Sequence, residues 1–96
     1  MATVLSNRRD AGYGTLSAAG PASYAAGGFS FDPKSDLGQD REPVAVFVDS
    51  SSQAVTGRWN SSTKKIVAIL RANGLEPSDT SDLSGVTFVA SAFFPT

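Results

Sequence analysis

The stretch from Pro43 to Arg71 constrains the fold most, because three strand-like runs follow one another there at hairpin spacing. The runs are Pro43 to Val48, Ala54 to Trp59 and Lys64 to Leu70, and polar turn residues separate them. Their Val, Ile, Phe and Trp content is typical of β-strands. Consecutive short strands with short links pair antiparallel. We therefore predict that the three runs form an antiparallel scaffold.

Two of these runs need a further assignment. The run from Pro43 to Val48 is apolar on both faces, which is typical of a central strand that is covered on both sides. The run from Lys64 to Arg71 has the length of an amphipathic helix, but its Ile, Val and Leu residues follow a hairpin turn and favour a strand. We expect the core of the domain to contain Val46, Phe47, Trp59, Val67, Ile69 and Phe88.

Two segments complete the predicted fold. Val86 to Phe94 alternates as a last strand, with Val89 and Phe93 on one face and Val86, Phe88, Ala90, Ala92 and Phe94 on the other. Asp32 to Gly38 predicts one helical turn, because an N-cap residue and a proline open it and a glycine follows it. Helix is therefore expected to be short or absent elsewhere.

The N-terminal part is rich in Gly and Ala and predicts turns more than regular structure. Within it, Tyr24 is expected to pack its ring over the neighbouring sheet. We predict one all-β domain, an antiparallel β-sandwich or a barrel-like fold. Residues 1–14 would form an N-terminal arm, and residues 15–96 would form the β-core.

The residue types restrict the chemistry that the chain can perform. It contains no Cys and no His, so disulfides, the usual zinc sites and histidine-based catalysis are excluded. No Ser-Lys signature is present for nucleophilic catalysis. The acidic residues between 32 and 42 lack the alternating ligands of a calcium loop, and they predict a solvated loop. We expect a protein without enzyme activity, bound metal or cofactor.

Charge and hydropathy exclude two classes of partner. The net charge is −1, and the basic residues are scattered, so no basic stripe is available to follow a phosphate backbone. No apolar run approaches the roughly 20 residues of a membrane span, and the N-terminus lacks the pattern of a signal peptide. We expect no nucleic-acid partner, no membrane partner and no export.

The apolar surface of this short chain predicts association with another protein. A domain of 96 residues hides only about 60 to 65% of its extended surface, and its last strand is apolar on both faces. An N-terminal arm can pair with the edge of a partner's sheet, and arginines can bind its carboxylates. The residues predicted to contact a partner are Val4, Arg8, Arg9, Tyr13, Phe93 and Phe94.

A family resemblance covers roughly Thr15 to Ala72. The pattern runs from Tyr24-Ala25-Ala26-Gly27-Gly28 through Leu37-Gly38 to the Val-rich strand VAVFV and a hairpin. This order resembles the small capsid decoration, or cement, proteins that tailed bacteriophages encode beside their major capsid protein. Gln39 departs from the pattern, which has a second apolar residue after Leu-Gly.

The resemblance implies a virion structural protein with a β-sandwich or barrel-like fold. Such a protein binds the major capsid protein on the outer surface of the head, bridges capsomers and is assembled in the host cytoplasm. It implies a homo-oligomer, a homotrimer before a homodimer, because cement proteins commonly occupy three-fold positions. The alternative function is a carbohydrate-binding or host-surface-binding module, in which Trp59, Tyr24 or Tyr13 would stack on a sugar ring.

Overall fold

Two antiparallel sheets pack into a sandwich-like domain, as the sequence predicts. The computed structural model describes residues 3–8 and 11–95 of the chain. In these residues the elements are β1 (Thr3–Arg8), β2 (Tyr13–Ala19), β3 (Phe29–Ser30), α1 (Pro33–Asp36), β4 (Ala45–Ser50), β5 (Val55–Asn60), β6 (Lys65–Leu70) and β7 (Thr87–Phe93). The prediction of an all-β domain with little helix is confirmed.

The larger sheet has four strands in the order β1-β2-β7-β4. Its central strand β7 alternates as predicted, because Phe88, Ala90 and Ala92 are buried while Val89 and Phe93 are partly exposed on the opposite face. The strand β2 pairs with β7 along its whole length, from Tyr13 opposite Phe93 to Ala19 opposite Thr87. Both central strands are therefore fixed by pairing between distant parts of the chain.

The smaller sheet has three strands in the order β3-β6-β5. The run that was compatible with a helix is the strand β6, and it lies in the middle of this sheet. The strand β3 has only two residues, so it pairs with β6 only at Ile66 and Lys65. Beyond β3, the backbone N–H of Ala68 on β6 donates a hydrogen bond of 3.1 Å to the hydroxyl of Tyr24. A side chain thus continues the hydrogen bonding where the strand stops.

The predicted three-stranded scaffold is only partly correct. The strands β5 and β6 pair as expected, but β4 pairs with β7 and belongs to the other sheet. It is an edge strand and not the predicted central strand. Instead of pairing, β4 and β5 lie side by side as edges of different sheets, and the Ser50 hydroxyl donates to the Val55 carbonyl oxygen. The turn between them therefore carries the chain from one sheet to the other.

The core lies between the sheets, and two of the predicted core residues, Phe47 and Ile69, are not buried in it. Phe47 is wrong as a core residue, because its side chain is 65% exposed on the outer face of an edge strand. Val67 and Ile69 alternate with Ile66 and Ala68, which face the core. Val67 is buried as predicted, although on the side of β6 away from the core cluster, whereas Ile69 is only half-buried. Phe88 is fully buried in the core, and Val46 and Trp59 pack against it while partly exposed.

The N-terminal residues form sheet and not a free arm. Residues 3–8 are the strand β1, which pairs antiparallel with β2 through a register shift between Val4 and Ser6. The strand β2 covers residues 13–19, where the sequence predicted mainly turns. Four of its seven residues are Gly, Ser or Ala, which have little β-propensity, so the pairing with β1 and β7 on its two sides determines its structure.

The predicted helical turn is present as α1. The Asp32 side chain accepts a hydrogen bond from the Ser35 backbone N–H, and Gly38 follows the turn with φ of +66°. Leu37 is buried and lies against the backbone of β2, where a Cβ at Gly14 would come within 2.7 Å of its Cδ1 atom. The turn therefore covers one end of the larger sheet on its inner side.

Candidate interaction surface

Three aromatic rings meet on the outer side of the larger sheet. The rings of Tyr13 and Phe93 lie opposite each other on β2 and β7, with centroids 4.9 Å apart. The Phe47 ring on β4 contacts Phe93 in an edge-on arrangement at 5.8 Å. Two predicted contact residues, Tyr13 and Phe93, are therefore brought together. Phe47 contacts this pair, although the sequence pattern predicts it to lie in the core.

The rest of this surface is uncharged and built from short side chains. The hydroxyls of Ser6 and Thr15 bond to each other across β1 and β2 at 2.8 Å. We call this surface the aromatic face and define it by the outward residues of three strands, Tyr13, Thr15, Ser17, Ala45, Phe47, Val89, Ser91 and Phe93. An exposed face with aromatic rings and few charges has the composition of a protein contact surface.

Charged residues lie at two opposite corners of the aromatic face. Arg8 is directly opposite Tyr13 on β1, and Asp49 is directly opposite Val89 on β4. Asp49 binds Arg71 at 3.1 Å, yet its side chain is still 81% exposed. The Ser50 backbone N–H, followed by the Arg71 guanidinium, holds the pKa of Asp49 below its usual range. The carboxylate is therefore ionised and open to a further cation.

The strand β1 is an open edge beside this face. Val4 is 43% exposed and Leu5 is 56% exposed, although Val4 lies opposite the buried Leu16. The physical reason is the difference between the two sheets, because the smaller sheet has three strands and one of these has only two residues. At β1, the larger sheet therefore extends beyond the smaller sheet that packs on it.

One predicted contact residue is not exposed, and another lies outside the residues that the structure describes. Phe94 is buried in the core, and its backbone N–H donates to the Gly12 carbonyl oxygen at 2.7 Å, so its assignment to a partner contact is wrong. It shares the inward face of the last strand, which the alternation of that strand already indicated. Arg9 lies outside the described residues.

Two of the three aromatic residues considered for sugar binding are not available as platforms. Tyr24 is 1% exposed, and its ring belongs to the core. Trp59 packs against the core while partly exposed, and its Nε1–H donates to the Phe31 carbonyl oxygen at 2.8 Å. Tyr13 remains at the surface, but its ring lies against Phe93. The geometry thus offers a protein contact surface more than a sugar-stacking site.

The described residues contain no group of three or more Asp and Glu side chains arranged to hold a metal ion. The clustered acids at 32–42 are instead partly paired, since Glu42 binds Lys64 at 2.7 Å and Lys34 at 3.6 Å. Within 3–8 and 11–95, no helix combines the length and the apolar character needed to cross a membrane.

Comparison of the chain with protein-family models, with curated proteins and with solved structures finds no match.

Proposed function

We propose that the protein is a structural component of a phage virion, which decorates the outer surface of the capsid and stabilises it by bridging capsomers. Its partner in this role is the major capsid protein, and the role requires no catalysis and no cofactor. The family resemblance over the range Thr15 to Ala72 supports the assignment to a phage virion. Assembly would take place in the host cytoplasm, where capsids are built.

The observation that carries this proposal is the open edge strand β1. Five of its six residues are exposed, and among the described strands it pairs only with β2. Exposed edge strands accept a strand from another protein, because their unpaired N–H and C=O groups extend the ladder. The exposed side chains of Val4 and Leu5 would then be covered by the capsid subunit. The N-terminal segment therefore remains the proposed contact with the capsid, but it acts as an edge strand and not as a flexible arm.

The proposal is tested by co-sedimentation of the purified protein with phage heads that lack it. We expect binding at a fixed ratio to the major capsid protein. Leu5→Asp should reduce binding by about tenfold or more, because a charge on an edge strand blocks the addition of another strand. Leu75→Asp is the matched control, since Leu75 is similarly exposed at 64% but lies in a loop.

One result would contradict the decoration role, and another would contradict β1 as its contact. Failure of the wild-type protein to bind heads would remove the decoration role. Binding of the Leu5→Asp variant at the wild-type level would leave the role intact but exclude β1 as the contact.

The alternative is a module that binds carbohydrate or the host surface, in which Tyr13 alone of the three candidate rings remains accessible. This alternative predicts binding to host polysaccharide in the absence of capsids. Tyr13→Ala should abolish that binding and leave the association with heads unchanged.

A further inference from the structure

We propose that the aromatic face binds a second copy of this chain, with the two copies related by a two-fold axis. The inference rests on the positions of charges and rings within the face. Together with β1 and with Asp49 on β4, the aromatic face forms a grid of four strands, in which Arg8 occupies one corner and Asp49 the diagonally opposite corner. The middle of the grid is the pair Thr15 and Ser91.

The two charged corners fix the direction of the axis. Arg8 and Asp49 are separated by three strand spacings, about 14 Å, across the strands and by four residues, also about 14 Å, along them. A two-fold axis in the plane of the face, at about 45° to the strands, therefore exchanges the two positions. Arg8 of one copy then lies over Asp49 of the other, and the reverse contact forms by symmetry.

The same axis also pairs the aromatic residues. Phe47 lies one and a half strand spacings, about 7 Å, from the middle of the grid across the strands. The pair of Tyr13 and Phe93 lies two residues, also about 7 Å, from the middle along the strands. The axis that bisects these two directions is the one that exchanges the charged corners. It places Phe47 of one copy on the Tyr13 and Phe93 rings of the other.

This arrangement is a known form of sheet packing. An axis at about 45° makes the strands of the two copies cross at about 90°, which is the orthogonal packing of two sheets. Only uncharged side chains lie between the charged corners in the described part of the face, so no charge is buried without a partner. One axis therefore satisfies the charges, the rings and the sheet geometry together.

The size of the face predicts a weak dimer. Four strands of about seven residues project an area of about 450 Å². This is below the roughly 800 Å² per partner that a standard stable interface buries. We expect a concentration-dependent equilibrium in the micromolar range and not a permanent dimer. A two-fold pair takes the place of the homotrimer that the family resemblance favours.

The first test is sedimentation equilibrium of the wild-type protein and two variants, without capsids. The wild type should show a monomer–dimer equilibrium, and Phe47→Ser should raise the dissociation constant by about tenfold or more, because the Phe47 ring packs on Tyr13 and Phe93 of the other copy. Leu75→Ser is the control with matched exposure, and it should leave the constant unchanged. A wild-type monomer up to about 0.5 mM, a trimer, or no effect of Phe47→Ser would each overturn the proposal.

The second test exchanges the charges of Arg8 and Asp49. Rescue of the dimer by the double variant is explained only by a contact between these two residues in different copies. Arg8→Glu and Asp49→Arg should each weaken the dimer by about fivefold or more, and the double variant should restore it. Arg58→Glu, on the outer face of the other sheet, is the control and should have no effect. Absence of rescue by the double variant would overturn the two-fold geometry. Both tests use the isolated protein, so they stand independently of the capsid proposal.

Discussion

The hydroxyl of Tyr24 donates a hydrogen bond of 2.6 Å to the Glu76 carboxylate, which lies 52 residues further along the chain. The same carboxylate accepts from the Gly27 backbone N–H at 2.9 Å. Burial, and then the neighbouring carboxylate, raise the pKa of Tyr24 to about 12, so the phenol keeps the proton that it donates. This contact joins the loop before β3 to the loop before β7.

Removal of the Tyr24 hydroxyl should destabilise the domain. Tyr24→Phe leaves the Ala68 N–H on β6 without its acceptor and removes the bond to Glu76. Since a buried group that loses its partner costs about 1 to 3 kcal/mol, we expect a loss in that range by denaturant unfolding. Tyr13→Phe is the control, because its ring is at the surface, and it should cost less than about 0.5 kcal/mol. Equal losses for the two variants would show that the Tyr24 hydroxyl contributes nothing.

Acid should weaken the same contact. The hydrogen bonds from Tyr24 and the Gly27 N–H hold the pKa of Glu76 below its ordinary 4.5. A carboxylate whose pKa is lower in the folded state stabilises the fold above pH 4.5, and this contribution is lost as the pH falls through the folded pKa. Glu76→Gln should therefore reduce the acid dependence of the unfolding free energy. Glu42, Asp49 and Asp82 act in the same direction and should maintain part of it. If the unfolding free energy of Glu76→Gln falls with acid as steeply as that of the wild type, Glu76 does not contribute to the acid dependence.

A methyl group at Gly57 should disturb the contact between the sheets. A Cβ there would lie 3.1 Å from a methyl carbon of Ile66, 3.1 Å from one of Val48 and 3.2 Å from the Phe88 ring. Overpacking of this kind costs about 1 to 3 kcal/mol, so Gly57→Ala should lower the unfolding free energy by that amount. Gly85→Ala is the control, because no atom of the described residues lies within 4 Å of the added carbon. A stable Gly57→Ala variant would mean that the sheets separate easily at this point.

Two phenylalanines should respond differently to truncation. Phe88 is fully buried, so Phe88→Ala should cost about 3 to 5 kcal/mol. Phe47 is 65% exposed, and Phe47→Ala should cost less than about 1 kcal/mol when measured on the monomer. Thermal or denaturant unfolding at low protein concentration separates the two. A large loss at Phe47 would place it in the core after all.

The sequence predicted the fold class and several elements, because their local signals agree with the tertiary structure. Alternation in the last strand identified the buried face correctly, from Phe88 to Phe94. The helical turn before Gly38 was also predictable, since its cap residues act locally. These elements need little information from the rest of the chain.

The errors have a common physical cause. In VAVFV and in KIVAIL the residues on both faces are apolar, so a period of two cannot indicate which face meets the core. For this reason the pattern assigns Phe47 and Ile69 to the core, and it does not indicate the aromatic face. The strand β2 was missed because small residues favour no structure until β1 and β7 pair with it. The alternation of the last strand, which places Val89 and Phe93 on the face opposite Phe88, was the available signal for the aromatic face.

The central position of β7 has a consequence for synthesis of the protein. Both β2 and β4 pair with β7, and neither pairs with the other. Sequence-distant pairing is slow to form, since the loop entropy is lost before the contacts are gained. The ribosome must release β7 before the larger sheet can close, so β2 and β4 wait unpaired on that side during translation. We therefore expect stalled nascent chains that end before residue 86 to remain sensitive to protease, because they lack the strand that closes the larger sheet.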